Sequence, residues 1–256
     1  MRKYGFAVVE GPHDVEFVYR LLKPFGFSRV VREEKLDPVL EPLIPRAYPP
    51  DGDLQKRMPI PLFLQSDTHA LAVHSAQGDT RIVQTVQESL SSLEADLISG
   101  IAIILDSDRG IPLNDRYKLI RDGLRDLGLL LEDTVGTIAV GPPRLGAFVL
   151  PDNQSRGTLE DLLLECAQHS YPGLLSSAET HVATALADAS LTKDDTEDLR
   201  KPSGRNKAVI ASIGGILRPG KAIQTSIQDN RWLEETALRI PRIKAVQDFL
   251  AAVFEL

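Results

Sequence analysis

Glu10 and Asp14 lie in the run Val8-Val9-Glu10-Gly11-Pro12-His13-Asp14, and Asp106 and Asp108 in Ile104-Leu105-Asp106-Ser107-Asp108-Arg109-Gly110. Both runs pass from apolar, strand-like residues straight into carboxylates. Carboxylate oxygens are the hard ligands that Mg2+ and Mn2+ prefer, so the pattern points to a divalent-metal site at strand ends. No lysine or arginine inside the first run can neutralise Glu10 and Asp14 locally. In an extended segment alternate side chains share a face, so Asp106 and Asp108 converge while Ser107 points away. The same residues have plainer readings. Asp-x-Asp arises often in exposed loops, and Glu10 and Asp14 also suit the N-terminus of a following helix.

Holding such residues requires strands that end at one edge. Gly5 to Val9 reads as a short buried strand, followed by a helix over about 14–22 with Val15, Val18, Leu21 and Leu22 on one side. Leu62 to Leu64 and Leu71 to His74 read as two strands, ending near Gly78, with a helix over about 80–93. Gly100 to Leu105 has no polar alternation, as expected of a central strand covered on both faces. A helix over about 114–127 follows, then a strand pair, Thr137 to Val140 and Ala147 to Leu150. Thr158 is placed to cap a helix, and the pattern stays helical through 178–189, 207–213 and 243–254. This order predicts an α/β fold: a mixed sheet with mainly parallel central strands, helices on both faces and a helical C-terminal extension. The expected units are 1–175, with a proline-rich insertion at 37–61, and an extension, 176–256, packed on it as one structural unit. Seven prolines in that insertion forbid regular structure and predict a surface excursion.

With 256 residues and 43% hydrophobic content the chain can bury a large core. A lone cysteine, Cys166, excludes disulfides and a cysteine-built zinc site within one chain. Without a secretory leader or an apolar run of about 20 residues, a soluble cytoplasmic protein with no membrane role is expected. The net charge of −7 argues against a broadly basic surface for gripping duplex DNA. From Arg200 to Lys244, however, ten basic residues face three acidic ones, a local +7 against −14 elsewhere. That segment suits a phosphate-bearing ligand arriving from one side, or a helix with a solvated basic face.

The first run, with the central Leu105-Asp106-Ser107-Asp108, resembles the Toprim domain shared by topoisomerases, bacterial primases, recombination proteins and the overcoming-lysogenisation nucleases. The order is also similar: a strand ending in glutamate, one ending near a glycine (Gly78), then one ending in Asp-x-Asp. Phe148 to Asn153 with Gly157 to Asp161, and Asn206-Lys207-Ala208 with Arg218 to Lys221, resemble an uncharacterised stand-alone Toprim-like family related to those nucleases. The resemblance implies a Rossmann-like sheet, Glu10 in proton transfer or metal binding, and Asp106 and Asp108 on Mg2+ or Mn2+. It further implies Asp14 and Glu160, with Asp152, as acidic groups for a second metal position, and Lys207 or Lys221 as a catalytic cation steadying a phosphate. Arg205, Lys207, Arg218 and Lys221 are the expected nucleic-acid contacts. Plainer roles compete here too: Pro151-Asp152-Asn153 is a natural turn, and Glu160 suits a helix start. The five histidines are expected in packing or surface roles, with His13 in a loop beside the site.

The implied function is metal-dependent phosphoryl transfer, as a nuclease on DNA or RNA. The alternative is a non-catalytic Toprim-like module that binds nucleic acid or a partner protein, with phage defence as a setting; a homo-oligomer fits either. A haloacid-type phosphatase predicts threonine or valine shortly after the second aspartate, where this chain has Arg109-Gly110, and neither it nor a nucleotide-sugar enzyme explains Glu10-Gly11.

Overall fold

The computed structural model describes residues 2–47, 60–107 and 111–256. The apolar runs form one seven-stranded sheet: β1 (Lys3–Val9), β2 (Ser28–Arg29), β3 (Leu62–Gln65), β4 (His69–Ser75), β5 (Ile98–Asp106), β6 (Ile138–Ala139) and β7 (Arg144–Leu150). Their spatial order is β2-β3-β4-β1-β5-β7-β6. The four central strands, β4, β1, β5 and β7, are mutually parallel, whereas β2, β3 and β6 add antiparallel edges. β6 and β7 thus form the expected antiparallel strand pair, and β7 also runs parallel to β5 along its whole length, which makes it a core strand.

Alternation along the strands divides the interior into two layers. Phe6, Val8, Ile101, Ile103 and Leu105 face α2 (Ile82–Ser92) and α3 (Leu113–Arg125). Ala7, Val9, Ala102 and Ile104 face α1 (Pro12–Leu22), α4 (Leu159–Ser170) and the C-terminal helices. Those helices are α5 (Pro172–Ala187), α6 (Gly204–Leu217), α7 (Ile223–Asp229) and α8 (Pro241–Phe254). α8 lies directly on the sheet, with Val253 and Phe254 against the backbone of Gly5 and Gly100.

The extension is therefore part of the core, and the expected division at 175/176 falls inside α5. Arg20 of α1 fastens it further. Its Nη1 donates to the carbonyls of Ile227 (3.3 Å), Gln228 (2.7 Å) and Asn230 (2.9 Å), and its Nη2 to Leu233 (3.1 Å). These are orphan acceptors at and beyond the end of α7, of the kind a cation stabilises. Trp232, fully buried, donates from Nε1 to Ser226 Oγ at 2.9 Å.

The proline-rich excursion does not simply float. Leu40 and Leu43 are buried in the layer under α2, so its start is pinned to the sheet. Residues 48–59 of it lie outside the described residues. Among the described residues no helix is long and apolar enough to cross a membrane.

The chain leaves β1 toward β4 with α1 on one face, and leaves β5 toward β7 with α3 on the other. Adjacent parallel strands whose connections depart in opposite directions leave a crevice beyond their carboxyl ends. Here that crevice lies beyond Val9 and Leu105.

Candidate metal centre

Glu10 and Asp106 stand at this crevice. The Glu10 carboxylate reaches across the seam: Oε1 accepts the backbone N–H of Asp106 at 2.7 Å. On the other side of β1 the loop after β4 is laced to the same edge, with Ala76 N–H donating to Val9 O (2.8 Å) and Gly78 N–H to Glu10 O (3.1 Å). Gly78 has φ +132°, a conformation that side chains rarely adopt, so this approach to Glu10 depends on glycine.

Asp14 enters from the first turn of α1. Gly11 is the N-cap, Pro12 the first helical residue, and Asp14 Oδ2 accepts the Gly11 N–H at 2.9 Å. The helix-start role open from the sequence is thus real, and it brings the carboxylate inward: Asp14 is buried. Burial pushes its pKa up to about 7, and the charge of Glu10 adds to the rise, as does that of Glu160; the Gly11 hydrogen bond opposes it.

Glu160 comes from α4, whose N-cap is Thr158, as the sequence predicts. Asp161 Oδ2 accepts the Thr158 N–H at 2.8 Å, fixing the turn that presents Glu160. Asp106 Oδ1 accepts the Leu159 N–H at 2.9 Å. Ser107 and Gly157 exchange two backbone hydrogen bonds, 2.9 and 3.2 Å, so the end of β5 and the start of α4 are stitched together. Glu160 is buried and its Oε2 has no hydrogen-bond partner. The Asp106 carboxyl is held well above the usual range, by burial first and then by the charges of Asp14, Glu10 and Glu160.

The crevice therefore gathers Glu10, Asp14, Asp106 and Glu160. Asp108 lies outside the described residues. Among the described residues, no three His, Cys, Asp or Glu side chains already form a metal-holding group. The donor chemistry fits a hard divalent cation all the same. Burial first, and then the charges of the neighbouring carboxylates, raise the pKa of Asp14 and Asp106, Glu160 Oε2 has no bonded donor, and a cation among them would offset that repulsion.

Asp152 is not brought into this group. Its Oδ1 accepts the N–H of Gln154 (3.1 Å) and Ser155 (2.6 Å), and its Oδ2 pairs with Arg242 (3.0 Å), which lower its pKa against the effect of burial. The turn reading holds for Asp152, and a metal-ligand role does not fit. Lys207 does approach: with His13 and Glu160 it lines a cavity of about 590 Å³. His13 belongs to α1 rather than to a loop, and burial lowers its pKa, opposed by Glu160. Arg205 is exposed on the first turn of α6. Arg218 caps the far end of that helix, paired with Asp229 (3.4 Å) and Asn230 Oδ1 (3.2 Å), and Lys221 is exposed in the turn beyond. About 16 Å of helix separates Lys207 from Arg218, so α6 carries Arg218 and Lys221 away from Lys207. Lys207 is the lysine that fits the site.

Arg116 was not foreseen. Its Nη2 pairs with Glu10 and its Nη1 with Asp79 at 3.3 Å, the guanidinium being 6% exposed. The cation absent from the first run is supplied by α3, more than a hundred residues on. A signal existed: Leu113, Tyr117, Ile120 and Leu124 form the apolar stripe of α3, and Arg116 falls on it. A charge on a buried stripe asks for a partner.

Fold and crevice together define an α/β chain with a carboxylate-rich site at a topological switch point. The chain belongs to the family described as Protein of unknown function (DUF3226), whose model matches residues 7–255. Its fold is similar to that in the crystal structure of a hypothetical protein from Pyrococcus horikoshii OT3, with 19% identity, 99% of this chain and 95% of that chain covered, and a TM-score of 0.55. No curated protein matches.

Proposed function

We propose that this chain is a Toprim-like, Mg2+- or Mn2+-dependent phosphoryl-transfer enzyme, a nuclease acting on DNA or RNA in the cytoplasm. The observation that carries the reading is the convergence of Glu10 and Asp14, Asp106, and Glu160 from three separate segments on one switch-point crevice. Carboxylates crowded in this way are costly unless protonated or cation-bound, and crowding of that kind clusters at functional sites.

A bound divalent cation would neutralise phosphate charge and acidify a water. Glu10, Asp106 and Glu160 would hold it, with Asp14 beside them. The chain's own groups do the rest. Arg116 fixes the Glu10 carboxylate, the Leu159 N–H orients Asp106, and Lys207 offers an exposed cation in the lining of the cavity. Asp14, titrating near neutrality, can hold or release a proton beside the reacting phosphate.

The Arg116 contact also favours a second reading, in which a guanidinium serves as the cation and the chain is a non-catalytic module binding nucleic acid or a partner protein. One experiment separates the two. Purified protein is titrated with Mn2+ and assayed on labelled DNA and RNA with Mg2+ or Mn2+, beside Asp106→Asn. The nuclease reading expects Mn2+ binding and cleavage, with cleavage reduced at least ~100-fold in the variant. Metal affinity unchanged in Asp106→Asn, with no cleavage of either polymer, sinks it.

A further inference from the structure

The cavity of about 590 Å³ beside Glu160 lies within the ~300–1,000 Å³ typical of small-ligand sites. Its walls differ in kind. Leu199, Ala208, Ile210, Ala211 and Ile223 make an apolar floor, Lys207 and His13 are basic groups that share the lining with Glu160, and the exposed Asp195 and Asp198 add an acidic rim. The unpartnered Glu160 Oε2 adds a buried acceptor at its inner end. That combination suits a nucleoside on the floor with its phosphate toward Lys207.

The rim also constrains the polymer. From Asp188 to Asp198 five acidic residues (Asp188, Asp194, Asp195, Glu197, Asp198) accompany a single lysine, Lys193, and all six are exposed. Duplex DNA carries one negative charge per ~1.7 Å of axis against one per ~3.4 Å for a single strand, so this acidic stretch opposes the duplex more strongly. A single strand can follow Arg205 and Lys207 on the first turn of α6 and turn one base inward.

We propose that the site takes a single nucleic-acid strand and seats one of its nucleotides in the cavity lined by Lys207, His13 and the apolar face of α6. This rests on the reading of the crevice as a nucleic-acid site and specifies its substrate. The test uses the full chain and a labelled 12-nucleotide strand, alone and as its blunt duplex, with calcium as the divalent ion, followed by fluorescence anisotropy. The single strand should bind at least ~10-fold tighter than the duplex. Ala211→Trp, at an exposed position, should fill the cavity and weaken strand binding at least ~10-fold, leaving Tm and Mn2+ affinity unchanged. Lys207→Ala should reduce the salt slope by about 0.7.

Equal or tighter duplex binding, no strand binding at all, or indifference to Ala211→Trp overturns the proposal. The two readings fail separately. A strand bound in the cavity but never cleaved removes the nuclease and keeps this assignment, whereas Asp106-dependent cleavage of duplex alone does the reverse.

Discussion

Asp14 links the chemistry of the site to stability. Its folded-state pKa of about 7 lies above the ordinary value of 3.8, so between these values the folded chain binds more proton than the unfolded one. The stability due to that proton is complete below the lower value and is lost as pH rises through the upper one, at up to ~1.4 kcal/mol per pH unit. Urea unfolding of the metal-free protein at about pH 5 and about pH 8 should show this loss, and Asp14→Asn should flatten it. An unchanged pH dependence in that variant would contradict the burial argument. Arg116→Ala, which removes the cation paired with Glu10, should cost ~3–5 kcal/mol in the same assay, with part recovered on adding Mn2+. A cost below about 1 kcal/mol would mean that the pair behaves as a surface contact.

Among the elements, β5 and α8 meet through glycine. A Cβ on Gly100 would stand 2.7 Å from the Val253 carbonyl and 3.0 Å from Phe254 Cδ1. Because the first is backbone, Gly100→Ala must shift α8, and denaturant unfolding should record ~1–3 kcal/mol of destabilisation. A smaller loss would show that α8 slides freely on the sheet. The elements were largely legible beforehand. The unbroken apolar run at 100–105 formed the covered strand expected of it, Thr158 caps its helix as read, and α1 starts at Pro12, two residues ahead of the expected start. Illegible were β2 and α7, two and seven residues long, too short for periodicity to register. Glu10 and Asp106 were visible because each ends an apolar strand. Arg116 and the exclusion of Asp152 were not, because both depend on which distant side chain arrives opposite, and no local pattern encodes that.

At the scale of the whole molecule the C-terminal third completes the interior. α8 covers β5 and β7, and Arg20 ties the end of α7 to α1. A chain ending at 175 would expose the face bearing Ala102, Ile104 and Phe148, so it should show no cooperative thermal transition by circular dichroism. A sharp transition in that fragment would establish an independent N-terminal domain. By the same reasoning the intact chain should melt in one step, near- and far-ultraviolet signals coinciding, since both layers share one sheet.

The backbone stitch between Ser107 and Gly157 also bears on the order in which the chain comes into being. A ribosome delivers residues from the N-terminus at ~5–20 per second, so Glu10 and Asp14 emerge many seconds before Asp106, and Asp106 before Glu160. Closing the stitch requires a fifty-residue excursion to return, and only then do the last two carboxylates face each other. The full charge repulsion therefore arises only after that return. Backbone exchange at Ser107, Gly157 and Leu159 should report the moment of the site's assembly.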